Sequence, residues 1–328
     1  MKTRKAPFVS AITVVLMTQT AGALDLAVPV GGDIQKAVDA VSSAGGGSVT
    51  LAAGVHQIDR PIRIRSHITL SGKGSALTTI KTSKAIKLVE QASEGLRKVT
   101  IRDLSIAGVP VHGSHAILIV SYKREHRNIT LLNVHASQTG WGVHIKGADG
   151  VRIENCEFAR NGAKGKEGYA HNLYLRRCKN ALVSNTKMNG STSGNGCNIS
   201  YSQNITIDSC EVLDNYFRGV RAADSDGYTV RNSRIGRNGR VGLLANREKA
   251  PTKNIRFENN IVFENGAEGI QAKRGVTGSV TGCRSFNNKG ADFDLNSSIR
   301  QKGNSTAAVP VKPRKAPDAD RPATQGPK

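Results

Sequence analysis

Nine short apolar strands set the terms for this chain. Aligning the last apolar residue of each gives Leu70, Ile101, Leu131, Ile153, Val183, Ile207, Val230, Phe257 and Val280, at intervals of 22 to 31 residues. Around each, the chain repeats one phrase: a turn, a strand such as Asn204-Ile-Thr-Ile, an Asn with a small residue, an Asn-Gly turn and a second strand. Intervals of that length holding only strands and turns imply a solenoid, in which each repeat buries its apolar edge against its neighbours. The expected fold class is all-β.

Within the first strands, apolar and polar residues alternate with a period of two, the mark of a half-buried strand. Two residues past the aligned position stand Asn133, Asn155, Asn185, Ser209, Asn232 and Asn259. Asn tolerates the left-handed backbone region and its amide can bond one repeat away, so a vertical Asn ladder is expected here. The one helical pattern runs from Asp33 to Ser42, with Asp33 as N-cap and Ile34, Ala37, Val38 and Val41 on one face. Lying before the first repeat, it would cap the open apolar end of the stack.

Lys2, Arg4 and Lys5, the apolar run from Phe8 to Met17 and Ala21-Gly22-Ala23 have the order of a secretory signal peptide. The expected organisation is a signal over 1–23, a repeat domain over 24–298 and a Pro- and Lys-rich disordered tail over 299–328. The expected location is secreted or periplasmic, without a membrane span. Net charge is +22, of which +14 falls on residues 24–298. Outside the cell, such charge points to an acidic polysaccharide as partner and away from nucleic acid. The chain is expected to act as a monomer.

Of the five cysteines, Cys156, Cys210 and Cys283 share one repeat position. Stacked strands place residues two repeats apart about 9–10 Å from each other, beyond disulfide reach. These three read as small buried hydrophobes, while the pairing of Cys178 and Cys197 stays open.

A capping helix followed by coil-rich strand repeats with an Asn ladder resembles the right-handed parallel β-helix of the pectate-lyase-like superfamily. Gly32-Asp33-Ile34-Gln35-Lys36-Ala37-Val38, Gly45-Gly46-Gly47-Ser48-Val49 and Gly54-Val55-His56 resemble the way that family begins its coil. The resemblance implies a polysaccharide lyase or a uronate C5-epimerase. The chain lacks Asn-Thr-Asp, paired Asp-Asp and Gly-His-Gly, so it departs from the polygalacturonase-like hydrolases. It also lacks the Asp-Pro-His-Asp/Glu pattern of mannuronan epimerases and the acidic clusters of calcium-dependent pectate lyases. No cofactor is expected. Asp224 and Asp226 sit in a turn and could hold one cation such as Ca2+, although Asp-Ser-Asp-Gly is more simply an ordinary turn.

The second strands carry the chemistry. Their inward pairs are Val143/Ile145, Leu173/Leu175, Cys197/Ile199 and Val220/Ala222, so the alternate residues point outward. One outward column reads His144, Tyr174, Asn198, Arg221; the next reads Lys146, Arg176, Ser200, Ala223. Trp141, His171, Asn172, Asn195 and Arg218 stand just before these strands. Guanidinium groups match carboxylates bidentately, and an aromatic ring offers a flat seat for a sugar. Lys, Tyr and His can move a proton. Arg221 and Arg218 are therefore expected to neutralise a uronic acid, with Lys146 or His144 as base and Tyr174 or His171 as acid. Trp141, Asn172, Arg176, Asn195 and Asn198 are expected to bind the sugar chain. The leading expectation is a metal-independent lyase acting by C5 proton abstraction and β-elimination. A C5-epimerase and a non-catalytic binder of anionic glycan or envelope are the alternatives.

Overall fold

The computed structural model describes residues 23–310; the signal segment and most of the basic tail lie outside the described residues. The aligned positions come into register without a slip. Leu70 pairs with Ile101, Ile101 with Leu131, and so on through Ile153, Val183, Ile207, Val230 and Phe257 to Val280. All nine are fully buried. A one-residue slip would turn every one of them to solvent, so the apolar column itself fixes the register. The second strands form a separate ten-stranded parallel sheet, from Ile62–Ile64 to Phe293–Leu295. The result is a right-handed parallel β-solenoid.

The helix spans Ile34–Ser43, and the Asp33 carboxylate accepts the Lys36 backbone N–H at 2.9 Å. Its buried residues are Ile34, Ala37, Val38 and Val41, the face expected to close the stack. Strand Ile299–Lys302 pairs with Val276–Thr281, so the ladder runs past the expected boundary at 298. All five cysteines are free and buried, including Cys178 and Cys197.

Two features of the coil differ from the sequence reading. A third short strand, such as Glu157–Ala159 or Arg234–Gly236, lies between the left-handed bend and the Asn-Gly turn. The bend residues Asn133, Asn155, Asn185, Ser209, Asn232 and Asn259 do adopt φ of 48–55°. Their side chains, however, do not make the continuous ladder. That ladder lies one turn later, where the buried amides of Asn161, Asn172, Asn215, Asn238, Asn265 and Asn288 each pass a hydrogen bond of 2.9–3.0 Å to the next. The bend faces water, which satisfies its own polar groups. The Asn-Gly turn is enclosed and needs the side chains to do it.

A glycine precedes most second strands for the same reason. A Cβ on Gly142, Gly196, Gly219 or Gly242 would stand 2.5–2.8 Å from the ladder amide of Asn161, Asn215, Asn238 or Asn265. In one coil both columns change at once: Ser191 takes the ladder position and Asn172 the glycine position. The short Ser191 side chain vacates the space, and the Asn172 amide fills it.

Candidate active site

Strand register assembles the outward column as expected. His144 pairs with Tyr174, Tyr174 with Asn198, and Asn198 with Arg221; alongside run Lys146, Arg176 and Ser200. The inward partners Val143, Ile145, Leu173, Leu175, Cys197, Ile199, Val220 and Ala222 are buried. The column is not open surface. Lys146, His171, Asn195 and Asn198 are each no more than 6% exposed, because the side chains pack on one another above the sheet.

Trp141 anchors one end. Its ring stacks on His144 at 5.7 Å and meets His171 edge-on at 5.4 Å, while His144 stacks on Tyr174 at 4.7 Å. His115 stacks on Trp141 with planes 5° apart and lies 6.3 Å from His144. Burial makes an imidazolium costly here, and neighbouring cations add to the cost. The His144 pKa is pushed down to about 3 by burial, then by His115, Lys146 and Arg176. His171 falls to about 3 through burial, then Arg221, His144 and Arg218. Both rings are therefore neutral at pH 7. The Asn195 backbone N–H donates to His171 Nδ1 at 3.0 Å, which fixes the remaining ring proton on Nε2. His171 is thus a neutral N–H donor and not the charged acid expected from the sequence. His144, with so low a pKa, is a poor base.

Tyr174 sits at the centre. It is stacked on His144, meets the edge of His171 and shares a 3.0 Å hydrogen bond between its hydroxyl and Ser200 Oγ. The Lys146 ammonium lies 3.2 Å from the centre of the Tyr122 ring, a cation–π contact. Arg176 leans on the Tyr201 ring. At the far end Arg221 donates to Asn246 Oδ1 at 3.0 Å, to Asn198 Oδ1 at 3.3 Å and to the Glu248 carboxylate. Asn195 holds Asn198 through a 3.1 Å bond and accepts the Arg218 backbone N–H. These two asparagines position arginines; they are not free to seize a sugar.

Asn172, expected to bind the sugar chain, is instead committed to the buried ladder. Its Oδ1 accepts from the backbone and side chain of Asn161, and its Nδ2 donates to Asn189 O and Asn215 Oδ1, with no exposure at all. One oxygen each of Asp224 and Asp226 is engaged, while Asp224 Oδ2 is buried without a hydrogen-bond partner among the described residues. Asp224 Oδ1 accepts backbone N–H groups from Glu248, Lys249 and Ala250, and Asp226 accepts from Asn254. Among the described residues, no three His, Cys, Asp or Glu side chains converge as metal ligands. The sequence reading missed His115, Tyr122, Phe217, Arg240 and Glu248. His115 was reachable by carrying the second-strand alignment one coil earlier. Phe217 and Arg240 each stand two residues past a ladder asparagine, Asn215 and Asn238, and were reachable by the same alignment, whereas Tyr122 and Glu248 stand in turns whose lengths vary, where alignment gives no phase.

Several solved structures share the solenoid fold. The mannuronan C-5 epimerase AlgE4 A-module of Azotobacter vinelandii superposes with a TM-score of 0.60 at 19% identity, over 83% of this chain and 90% of the module. The AlgE6 A-module of the same organism gives 0.55 at 18% identity, over 84% and 95%. PfbA, a surface adhesin of Streptococcus pneumoniae, gives 0.51 at 14% identity, over 86% and 92%. No curated protein matches the chain significantly in sequence. The right handed beta helix region family matches residues 141–306, the stretch that carries the whole column, and the chain belongs to that family.

Proposed function

We propose that this face binds an acidic polysaccharide and cleaves it by β-elimination, outside the cytoplasm. The carrying observation is the composition of this face. A Tyr hydroxyl, two neutral imidazoles and several cations share one column, and the acid beside them, Glu248, is already paired with Arg221. Hydrolysis by two opposed carboxylates has no counterpart there. In the proposed reaction Tyr174, as phenolate, takes the C5 proton of a uronic acid. The electron pair left at C5 forms the C4–C5 double bond as the C4–O4 bond breaks, and the Tyr174 hydroxyl passes the proton it has taken to the departing O4, regenerating the phenolate. The Lys146 ammonium and the His171 Nε2–H hold the charge that spreads onto the carboxylate in the transition state. Trp141 seats the neighbouring ring.

Epimerisation at C5 uses the same parts, with a proton returned to the opposite face. The fold shared with two mannuronan C-5 epimerase modules favours it as the second reading. Incubation with alginate, polygalacturonate and hyaluronan separates the two. Absorbance rising near 230–235 nm marks the unsaturated product of a lyase. Exchange of the C5 proton in deuterated water, with polymer length unchanged, marks an epimerase. Retention on a polymer with neither change would replace both readings with a binding protein. Tyr174→Phe is expected to lower kcat at least a hundredfold, the ordinary worth of a positioned proton-transfer group. A Tyr174→Phe variant with wild-type turnover would remove Tyr174 from the chemistry.

A further inference from the structure

Beyond Tyr174 the same face carries a second group of charges that the proposed reaction does not use. Arg240 donates its backbone N–H to Phe217 O, so the two residues lie one coil apart. The Phe217 ring lies between two cations: the Arg218 guanidinium carbon is 4.1 Å from its centre and that of Arg240 is 5.7 Å away. In both arginines Nε is buried and has no hydrogen-bond partner. Neither side chain forms an ion pair among the described residues, and Glu248 is committed to Arg221. Crowding by burial, Arg221 and Arg240 lowers the Arg218 pKa to about 10. Two buried, unpaired donors of like charge around one ring destabilise the free protein. A chain that merely needed to fold would gain by losing one of them.

We infer that Arg218 and Arg240, braced on Phe217, form a separate anion subsite for a carboxylate or sulfate on the same polysaccharide, away from the reacting sugar. Three coil steps separate the Tyr174 row from the Leu244 row beside Arg240. At about 4.8 Å per step, and with Arg218 and Phe217 one step nearer than Arg240, the second anionic group lies roughly 10–14 Å along this face from the reaction. This subsite rests on the reading of the face as a glycan groove. It adds to that reading a requirement for a substrate with at least two anionic groups at that spacing.

The test uses the full chain and Arg240→Gln, run by affinity electrophoresis through gels holding alginate, polygalacturonate, dextran sulfate or uncharged dextran. Wild type retained on an acidic polymer and Arg240→Gln retained at least fivefold more weakly, with dextran without effect on either, supports the subsite. Preference for dextran sulfate over both uronates assigns it to sulfate; the reverse assigns it to carboxylate. The ligand-free Tm of Arg240→Gln should equal or exceed that of wild type, and sodium sulfate should raise the wild-type Tm more than sodium chloride at equal ionic strength. Wild type retained with Arg240→Gln unchanged overturns the subsite alone. A Tm several degrees lower in the variant also overturns it, by making the pair structural. Wild type retained by no acidic polymer overturns the subsite and the glycan reading together.

Discussion

Asn238→Ala is expected to destabilise the solenoid by about 4–6 kcal/mol, enough to unfold a domain of ordinary stability. Asn238 is 1% exposed and makes four side-chain hydrogen bonds. Its Oδ1 accepts from Asn215 N and Nδ2 at 3.1 and 2.9 Å, and its Nδ2 donates to Val212 O and Asn265 Oδ1 at 3.2 and 3.0 Å. Alanine removes all four and leaves the Asn215 backbone N–H, one Asn215 amide hydrogen and the Val212 carbonyl enclosed without partners. Each orphaned group costs about 1–3 kcal/mol, while the cavity is too small to admit water freely. Asn259 is the control. It holds a bend at φ 55° on the exposed side of the coil, where Gly adopts the same conformation without strain. Asn259→Gly should stay within about 1 kcal/mol of wild type by urea denaturation. Equal effects from the two substitutions would show that the buried ladder does not carry the turn stack.

Lowering the pH from 7.5 to 5 should cost the folded chain about 6 kcal/mol through three histidines, roughly 2 kcal/mol each. His144 and His171 have pKa values of about 3, and His115 about 4, the last through burial and then Lys87 and His112, against a partial gain from the Gly113 carbonyl. The unfolded chain protonates them near 6.5. Between those values the unfolded state binds more protons than the folded one, so stability is whole above pH 6.5 and drains away as pH falls towards 4. Urea unfolding at pH 7.5 and pH 5 measures the loss directly. His144→Phe keeps the ring stack between Trp141 and Tyr174 and should recover about 2 kcal/mol of it at pH 5. A wild-type chain equally stable at both values, or a variant with the full wild-type loss, would mean that these rings do accept protons in the fold.

Asn172 shows how far the sequence could be read and where reading stopped. Gly142, Gly196, Gly219 and Gly242 occupy one repeat position in the sequence, and Ser191 falls where Asn161, Asn215 and Asn238 hold an Asn, although Asn189-Gly190 just before it offers the more obvious turn. The double exception was on the page. Its meaning, one amide filling the space another leaves, required the contact distances. Arg221 was legible as an outward cation beside Tyr174 and Asn198. That Glu248 takes up its charge was not, because a turn of variable length delivers that acid across the coil.

From its repeat alone the chain dictated which residues stack in which column, since a parallel coil with an apolar edge has one register that keeps that edge dry. Tertiary structure decided the rest: which outward side chains are enclosed, which arginine is already paired, and which ring nitrogen keeps its proton. Those outcomes depend on burial and on donors brought in by turns, and neither is periodic.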